Sequence, residues 1–167
     1  MEARAGHATK PLADKSSVGS EGVPFEVAIE RGKIREFARA TRSTHAAYMD
    51  GERPVAPPTF LTTQFFWEDG VEGANPWHLV KLDPQRGMHA EQEYVYFGPP
   101  PRAGAKLVAR SRIESVYDKD GRRGGKLTFA VMVTEFRDAS GTLVAEARLT
   151  GVETERPPEP AASKEAP

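Results

Sequence analysis

The sequence predicts an α+β domain in which early helices cover one face of an antiparallel sheet. Three observations predict it. Apolar residues recur at helical spacing in the first half of the chain. They alternate at period two through the last third. The alternating stretches are joined by Asp/Gly turns, "DKDGRRGG" (118–125) and "DASG" (138–141). Helices first and long strands afterwards make an antiparallel sheet whose apolar face the helices must bury.

Each element follows from its residues. "PFEVAIE" (24–30) reads as a short strand. "RGKIREFARAT" (31–41) reads as a helix, with Ile34, Phe37, Ala38 and Thr41 on one face and Lys33, Arg35, Glu36 and Arg39 on the other. "STHAAYMD" (43–50) reads as a loop with a helical turn. "TFLTTQFFW" (59–67), entered through Pro57 and Pro58, reads as a short, largely buried helix, because proline suits a helix start and not its interior. The Gly- and Pro-containing stretch 68–86 reads as a loop, with a short strand expected at "WHLVKL" (77–82).

Strands follow at 89–97, 106–118, 126–138 and 142–153. In the second of these, Leu107, Ala109, Ile113 and Tyr117 are expected on one face, opposite Arg110, Arg112 and Glu114. The strand from Lys126 is apolar on both faces, which points to a second subunit against the sheet. The Ala/Gly/Ser/Lys-rich residues 1–22 and the Pro/Ala/Glu-rich residues 155–167 are expected to be disordered tails. The folded domain is expected over 23–154.

Composition narrows the function. The 23 Lys and Arg residues against 24 Asp and Glu leave a net charge of -1, so no field favours nucleic acid or an anionic membrane. The absence of cysteine excludes disulfides, thiolate zinc sites and a cysteine nucleophile, and fits a reducing compartment. No apolar run reaches transmembrane length and the N-terminus has no apolar signal core, so a cytoplasmic location is expected.

Several blocks in order, "GKIREFARAT", "HAAYMD", "VAPPTF", "EQEYVYFGPPPRAGAKL", "GGKLTF" and "TEFRD", carry a family resemblance. Over residues 23–153 the chain resembles the N-terminal, dehydratase-like branch of the MaoC hydratases. The resemblance implies a single hot-dog domain, an antiparallel sheet wrapped around a central helix, assembled as a dimer or pseudodimer. It implies hydration of enoyl thioesters, or the reverse dehydration of 3-hydroxyacyl thioesters.

Active members of that family use the Asp and His of a D-x-N-P-x-H pattern as the acid–base pair around one water. The backbone N–H of a Gly at the start of the central helix holds the thioester oxygen as it gains charge. If Tyr48 stands at the His position, Ser43 stands at the Asp position, with His45 and Ala46 at Asn and Pro. Where active members read Ala-His-Gly, this chain reads Ala56-Pro57-Pro58, and Pro58 has no N–H. No catalytic residue is therefore expected at Ser43, Tyr48 or Pro58.

The resemblance implies instead a non-catalytic half that binds and stabilises beside a catalytic MaoC-like hot-dog subunit. Tyr48, Thr59, Phe60, His89 and Gln92 are expected near the acyl thioester. No metal and no resident cofactor are implied, since the substrate carries coenzyme A or acyl carrier protein. Two other readings stay open: an active homodimeric hydratase using His45, or His89 with Glu91, and a thioester-binding hot-dog protein that is not an enzyme.

The remaining chemistry-bearing residues have plainer readings. His45 reads as a residue of a solvated loop, Tyr48 as a packing residue, and Glu91 and Glu93 as a charged edge. "DGRRGGK" reads as an exposed hairpin turn, because a hairpin lacks the helix N-terminus that makes an anion loop. Gln92 as a lining group and Gln92 as an edge-strand residue both remain open. Phe60, Phe65, Phe66 and Trp67 read as mostly core.

Overall fold

The alternating segments form one five-stranded antiparallel sheet in the computed structural model, which describes residues 13–121 and 125–155. The strands are β1 (Phe25–Ala28), β2 (Gly87–Tyr96), β3 (Lys106–Asp120), β4 (Lys126–Arg137) and β5 (Leu143–Thr154). Their order is β1-β3-β4-β5-β2, so β4 is central and β1 and β2 are the edges. The helices are α1 (Arg31–Ala40), α2 (Ala46–Met49) and α3 (Phe65–Glu68). A 3-10 turn over Phe60–Gln64 runs directly into α3, and together they form the central helical segment.

The apolar stripe of α1 lands where its spacing puts it. Ile34 and Ala38 are fully buried, and Phe37 meets Phe60 edge to face at 5.7 Å. The helix stops at Thr41, whose hydroxyl donates back to the carbonyls of Phe37 and Ala38. Against it, the sheet offers short side chains: Ala109, Ala145 and Ala147 are all buried in the same cluster as Phe60, Leu61 and Phe136. Small residues on the strands let the helical segment approach closely enough to exclude water.

A bulge explains one difference from the simple alternation. Between Ile113 and Ser115 the β3–β4 register shifts, so Ile113 faces Met132 while Tyr117 faces Phe129. Ile113 is buried in the core, whereas Tyr117 stacks on Phe129 at 5.4 Å, with Lys119 over both rings. The one-face assignment of Ile113 and Tyr117 is thus corrected by one extra residue. The second apolar face of β4 is half-covered, with Leu127, Phe129 and Val131 only partly exposed.

Three further expectations change. "WHLVKL" is not a strand: Pro76–Val80 is a 3-10 turn, capped by the Asn75 side chain on Trp77 N–H and ended by Lys81 at φ 55. The Asn-Pro pair is a cap followed by a helix-starting proline. Phe65 and Phe66 are not core but 53% and 60% exposed.

The N-terminal part expected as tail is packed from Ala13 onward. Gly19 N–H donates to Ile113 O, and Gly22 N–H to Ser111 O. At the other end Glu155 exchanges backbone and side-chain bonds with Lys126. The rest of both expected tails, residues 1–12 and 156–167, lies outside the described residues, as does the tip of the 118–125 turn at 122–124. Among the described residues no helix is long and apolar enough to cross a membrane.

The 81–87 loop is clamped to β5 by a buried ion pair. Arg86 Nη2 lies 2.6 Å from Glu153 Oε1, and Glu153 is 1% exposed. Arg86 also donates to Asp83 and to the carbonyls of Thr154 and Glu155. The other Glu153 oxygen accepts from the N–H groups of Ala13 and Asp83. Beside this clamp Trp77 lies on Gly151, where a Cβ would stand 2.6 Å from the ring. Removing one partner of such a pair strands a buried charge, so Arg86→Met should lower unfolding stability by about 3–5 kcal/mol, read as a fall in the urea midpoint.

Candidate functional site

The segment that carries the motif positions is built for structure. His45 is the N-cap of α2, its Nδ1 accepting from Ala47 N–H at 3.1 Å. The exposed His45 ring lies 5.2 Å from that of Tyr48. Tyr48 is half-buried against the main core cluster. Ser43 Oγ accepts only a long bond from His45 N–H, at 3.4 Å. Arg35 on α1 donates to Met49 O and Gly51 O, which ties α2 to α1. Neither Ser43 nor Tyr48 brings a carboxylate or an imidazole to the matching positions, and His45 is occupied as a cap.

The entry to the central segment is equally unsuited to holding an oxyanion. Pro57 and Pro58 have no N–H, and the N–H of Phe60 is used by Pro57 O at 2.9 Å. The carbonyl of Pro58 faces a donor instead, the Tyr96 hydroxyl, at 2.9 Å. Burial, reinforced by the neighbouring Tyr94, pushes the Tyr96 phenol up to about 12, so it stays protonated and keeps donating. Thr59 is exposed; Phe60, expected near substrate, is a wholly buried core residue under Phe37.

His89 and Gln92 do meet in a cavity. It has a volume of about 270 Å³ and lies between the central segment and strands β2, β4 and β5. Leu61, Thr62, Gln64, Phe65 and Glu68 form the helical wall. His89, Gln92 and Tyr94 of edge strand β2 form one side, and β4 and β5 contribute Met132, Thr134, Ala147 and Leu149. None of Ser43, Tyr48, Thr59 or Phe60 lines it. His89 Nε2 lies 2.9 Å from Glu91 O, and Gln92 Nε2 donates to Arg148 O at 3.1 Å, so both are held by the strands. Glu91 stays exposed on the edge, while Glu93 lies 3.9 Å from Arg148 in a charged cluster with Glu114 and Glu146.

Two residues that sequence reading passed over give this cavity its character. Gln64 Nε2 donates to Thr134 Oγ1 at 3.3 Å, and Thr134 bonds in turn to the buried Ser111 hydroxyl. The other terminal atom of Gln64 is buried without a partner. Glu68 is only 7% exposed, and its Oε1 has no partner either. Leu61, Gln64, Phe65 and Glu68 follow i, i+3, i+4, i+7, so two polar groups on a sheet-facing helical stripe were the available signal. A second cavity of about 570 Å³, reaching Asp69 and His78, shares Phe65, Glu68 and Asn75 with the first. Among the described residues no group of three or more His, Cys, Asp or Glu is placed to hold a metal ion.

Burial pushes the Glu68 carboxyl above its ordinary range. The folded chain therefore holds this proton to higher pH than the unfolded chain does. The cost of ionising the buried group is absent below the unfolded value and grows as pH rises through the folded one. Glu68→Gln should raise stability by about 1–3 kcal/mol at pH 7. That gain should shrink as pH falls toward about 4, the unfolded carboxylate value. Urea titrations at both pH values measure it.

Relatives place this architecture. Residues 16–147 match the family described as FAS1-like, dehydratase domain region. A UPF0336 protein of Streptomyces griseus is 38% identical over 114 residues, covering 62% of this chain and 73% of that one. The HadBC (3R-hydroxyacyl-ACP dehydratase) complex from Mycobacterium tuberculosis contains a chain 26% identical, with a TM-score of 0.62 over 81% of this chain and 96% of that one. A chain of the ChsH1-ChsH2 complex from the same organism shares the fold at 17% identity, with a TM-score of 0.64 over 90% and 89%. The five-stranded sheet closed over a short central helix is the hot-dog fold, and the chain belongs to the FAS1-like dehydratase-region family of MaoC-like hot-dog proteins.

Proposed function

We propose that this chain is the non-catalytic, substrate-binding and stabilising half of a heteromeric enoyl-thioester hydratase, or 3-hydroxyacyl-thioester dehydratase. The observation that carries the reading is the Pro57-Pro58 entry to the central segment, where neither proline has an N–H and the N–H of Phe60 is used by Pro57 O. Neither proline can donate to a developing oxyanion. The Ser43 and Tyr48 positions add no acid–base pair. The partner supplies Asp, His and the oxyanion donor; this chain supplies a groove wall and a sheet edge.

Three features support a hot-dog partner. The ten-residue strand β2 is an edge whose outer side lacks a neighbour among the described strands. Phe65 and Phe66 stand exposed, ring against ring at 4.3 Å, and Phe65 lines the same cavity as β2. Two similar chains come from complexes, HadBC and ChsH1-ChsH2. The thioester is carried on coenzyme A or acyl carrier protein, no separate cofactor is needed, and the setting is cytoplasmic lipid metabolism.

The purified chain alone should hydrate enoyl-CoA substrates at least about 10²–10³ times more slowly than its complex with a catalytic hot-dog subunit. Rapid turnover by the lone chain, or no complex with any such subunit, contradicts the reading. The double variant Ser43→Asp/Tyr48→His should recover less than about 1% of the complex's rate, because Pro58 still offers no N–H. Steady-state kinetics of the lone variant decide this, and strong rescue would show that the helix entry is competent after all.

A further inference from the structure

We infer that the cavity between the central segment and strands β2, β4 and β5 is built for an acyl chain carrying a hydroxyl beyond carbon 3, rather than for bare methylenes. This inference rests on the proposed function for the nature of the ligand, an acyl thioester, and on the cavity's own chemistry for the rest.

The argument starts from two polar groups left without partners. Glu68 is 93% buried by its 7% exposure, it lines the cavity, and its Oε1 has no hydrogen-bond partner. Gln64 lines the same wall, with one amide atom fixed to Thr134 and the other unpartnered. Both stand on one stripe of the helical segment, one turn apart. A buried polar atom without a partner costs about 1–3 kcal/mol, so an occupant that satisfies it gains what a hydrocarbon cannot.

The occupant's chemistry follows from the states these groups adopt. Burial favours the neutral form of Glu68, and with only one carboxyl on the wall a cationic occupant has little to hold it. A neutral carboxyl presents either a carbonyl oxygen or an O–H, and the free end of Gln64 is either an oxygen or an N–H. A hydroxyl both donates and accepts, so it satisfies each combination. Leu61 on the same wall, with Met132, Ala147 and Leu149 of the sheet, suits the methylenes that lead to it. The volume of about 270 Å³ admits a chain segment.

The test uses matched saturated and ω-hydroxylated acyl-CoA thioesters of six, eight and ten carbons, with binding to the full chain measured by calorimetry. At the length that reaches Glu68, the hydroxylated member should bind about 3- to 10-fold tighter. Glu68→Leu should abolish that ratio, whereas Glu68→Gln, which keeps a polar end, should preserve it. Equal or weaker binding of every hydroxylated member overturns the inference, as does a preference that survives Glu68→Leu. If both series bind equally and the chain still activates a catalytic hot-dog subunit, only this inference fails. If neither series binds, the inference fails together with the thioester reading. A crystal structure with the eight-carbon pair gives a second readout: ordered water alone on Glu68, with the hydroxyl elsewhere, also overturns it.

Discussion

The structure depends on how closely a short, proline-started helical segment can approach a sheet. Phe60 and Leu61 are fully buried because the strands opposite them carry Ala109, Ala145 and Ala147 rather than larger groups. Burying a side chain such as Phe or Leu stabilises by about 1.5–3 kcal/mol, and this small core gathers most of its aliphatic and aromatic burial around that contact. α1 closes the layer from the other side through Ile34, Phe37 and Ala38. A second cluster, Val80, Ile113 and Met132 with Trp77 and Leu82 beside it, extends the packing under the 76–86 loop. The Glu153–Arg86 clamp fixes that loop in place.

The same contact decides where chemistry is absent and where it is available. Starting the segment with Pro57-Pro58 fixes the chain direction into the core but puts two residues without an N–H at the point where the active relatives of the resemblance hold an oxyanion. Farther along, the stripe that faces the sheet is not wholly apolar. Gln64 and Glu68 share a cavity with residues of β2, β4 and β5 there, instead of a packed core. The chain therefore has a cavity with polar groups on its wall beside a sheet edge that has no neighbour among the described strands, and motif positions filled by capping and packing residues.

Much of the architecture was legible in the sequence because it rests on periodicity. The 3.6-residue stripe of α1, the alternation of β3–β5 and the Asp/Gly turns report local geometry that packing then confirms. What escaped depends on single residues or on distant partners. The bulge at Ile113/Ser115 reverses the face of Tyr117 through one residue, which an alternation count cannot register. Trp77–Leu82 looks strand-like by composition, yet Asn75 and Pro76 commit it to a 3-10 turn. Residues 13–22 look like part of a disordered tail, but their order comes from backbone bonds to β3, which composition does not carry. At the cavity, His89 and Gln92 were legible as residues of one strand, whereas Glu68 was not singled out, because the residues that share its cavity come from three separate strands, β2, β4 and β5.

The central claim is that the thioester is activated by another polypeptide while this chain only surrounds it. The most direct measurement is a crystal structure of the chain with its catalytic partner and an unreactive 3-hydroxyacyl thioester analogue. The account predicts the thioester carbonyl oxygen within hydrogen-bond distance of a backbone N–H of the partner subunit, with only side-chain or apolar contacts from this chain. A carbonyl oxygen held instead by an N–H of Thr59, Phe60 or Leu61 would contradict it.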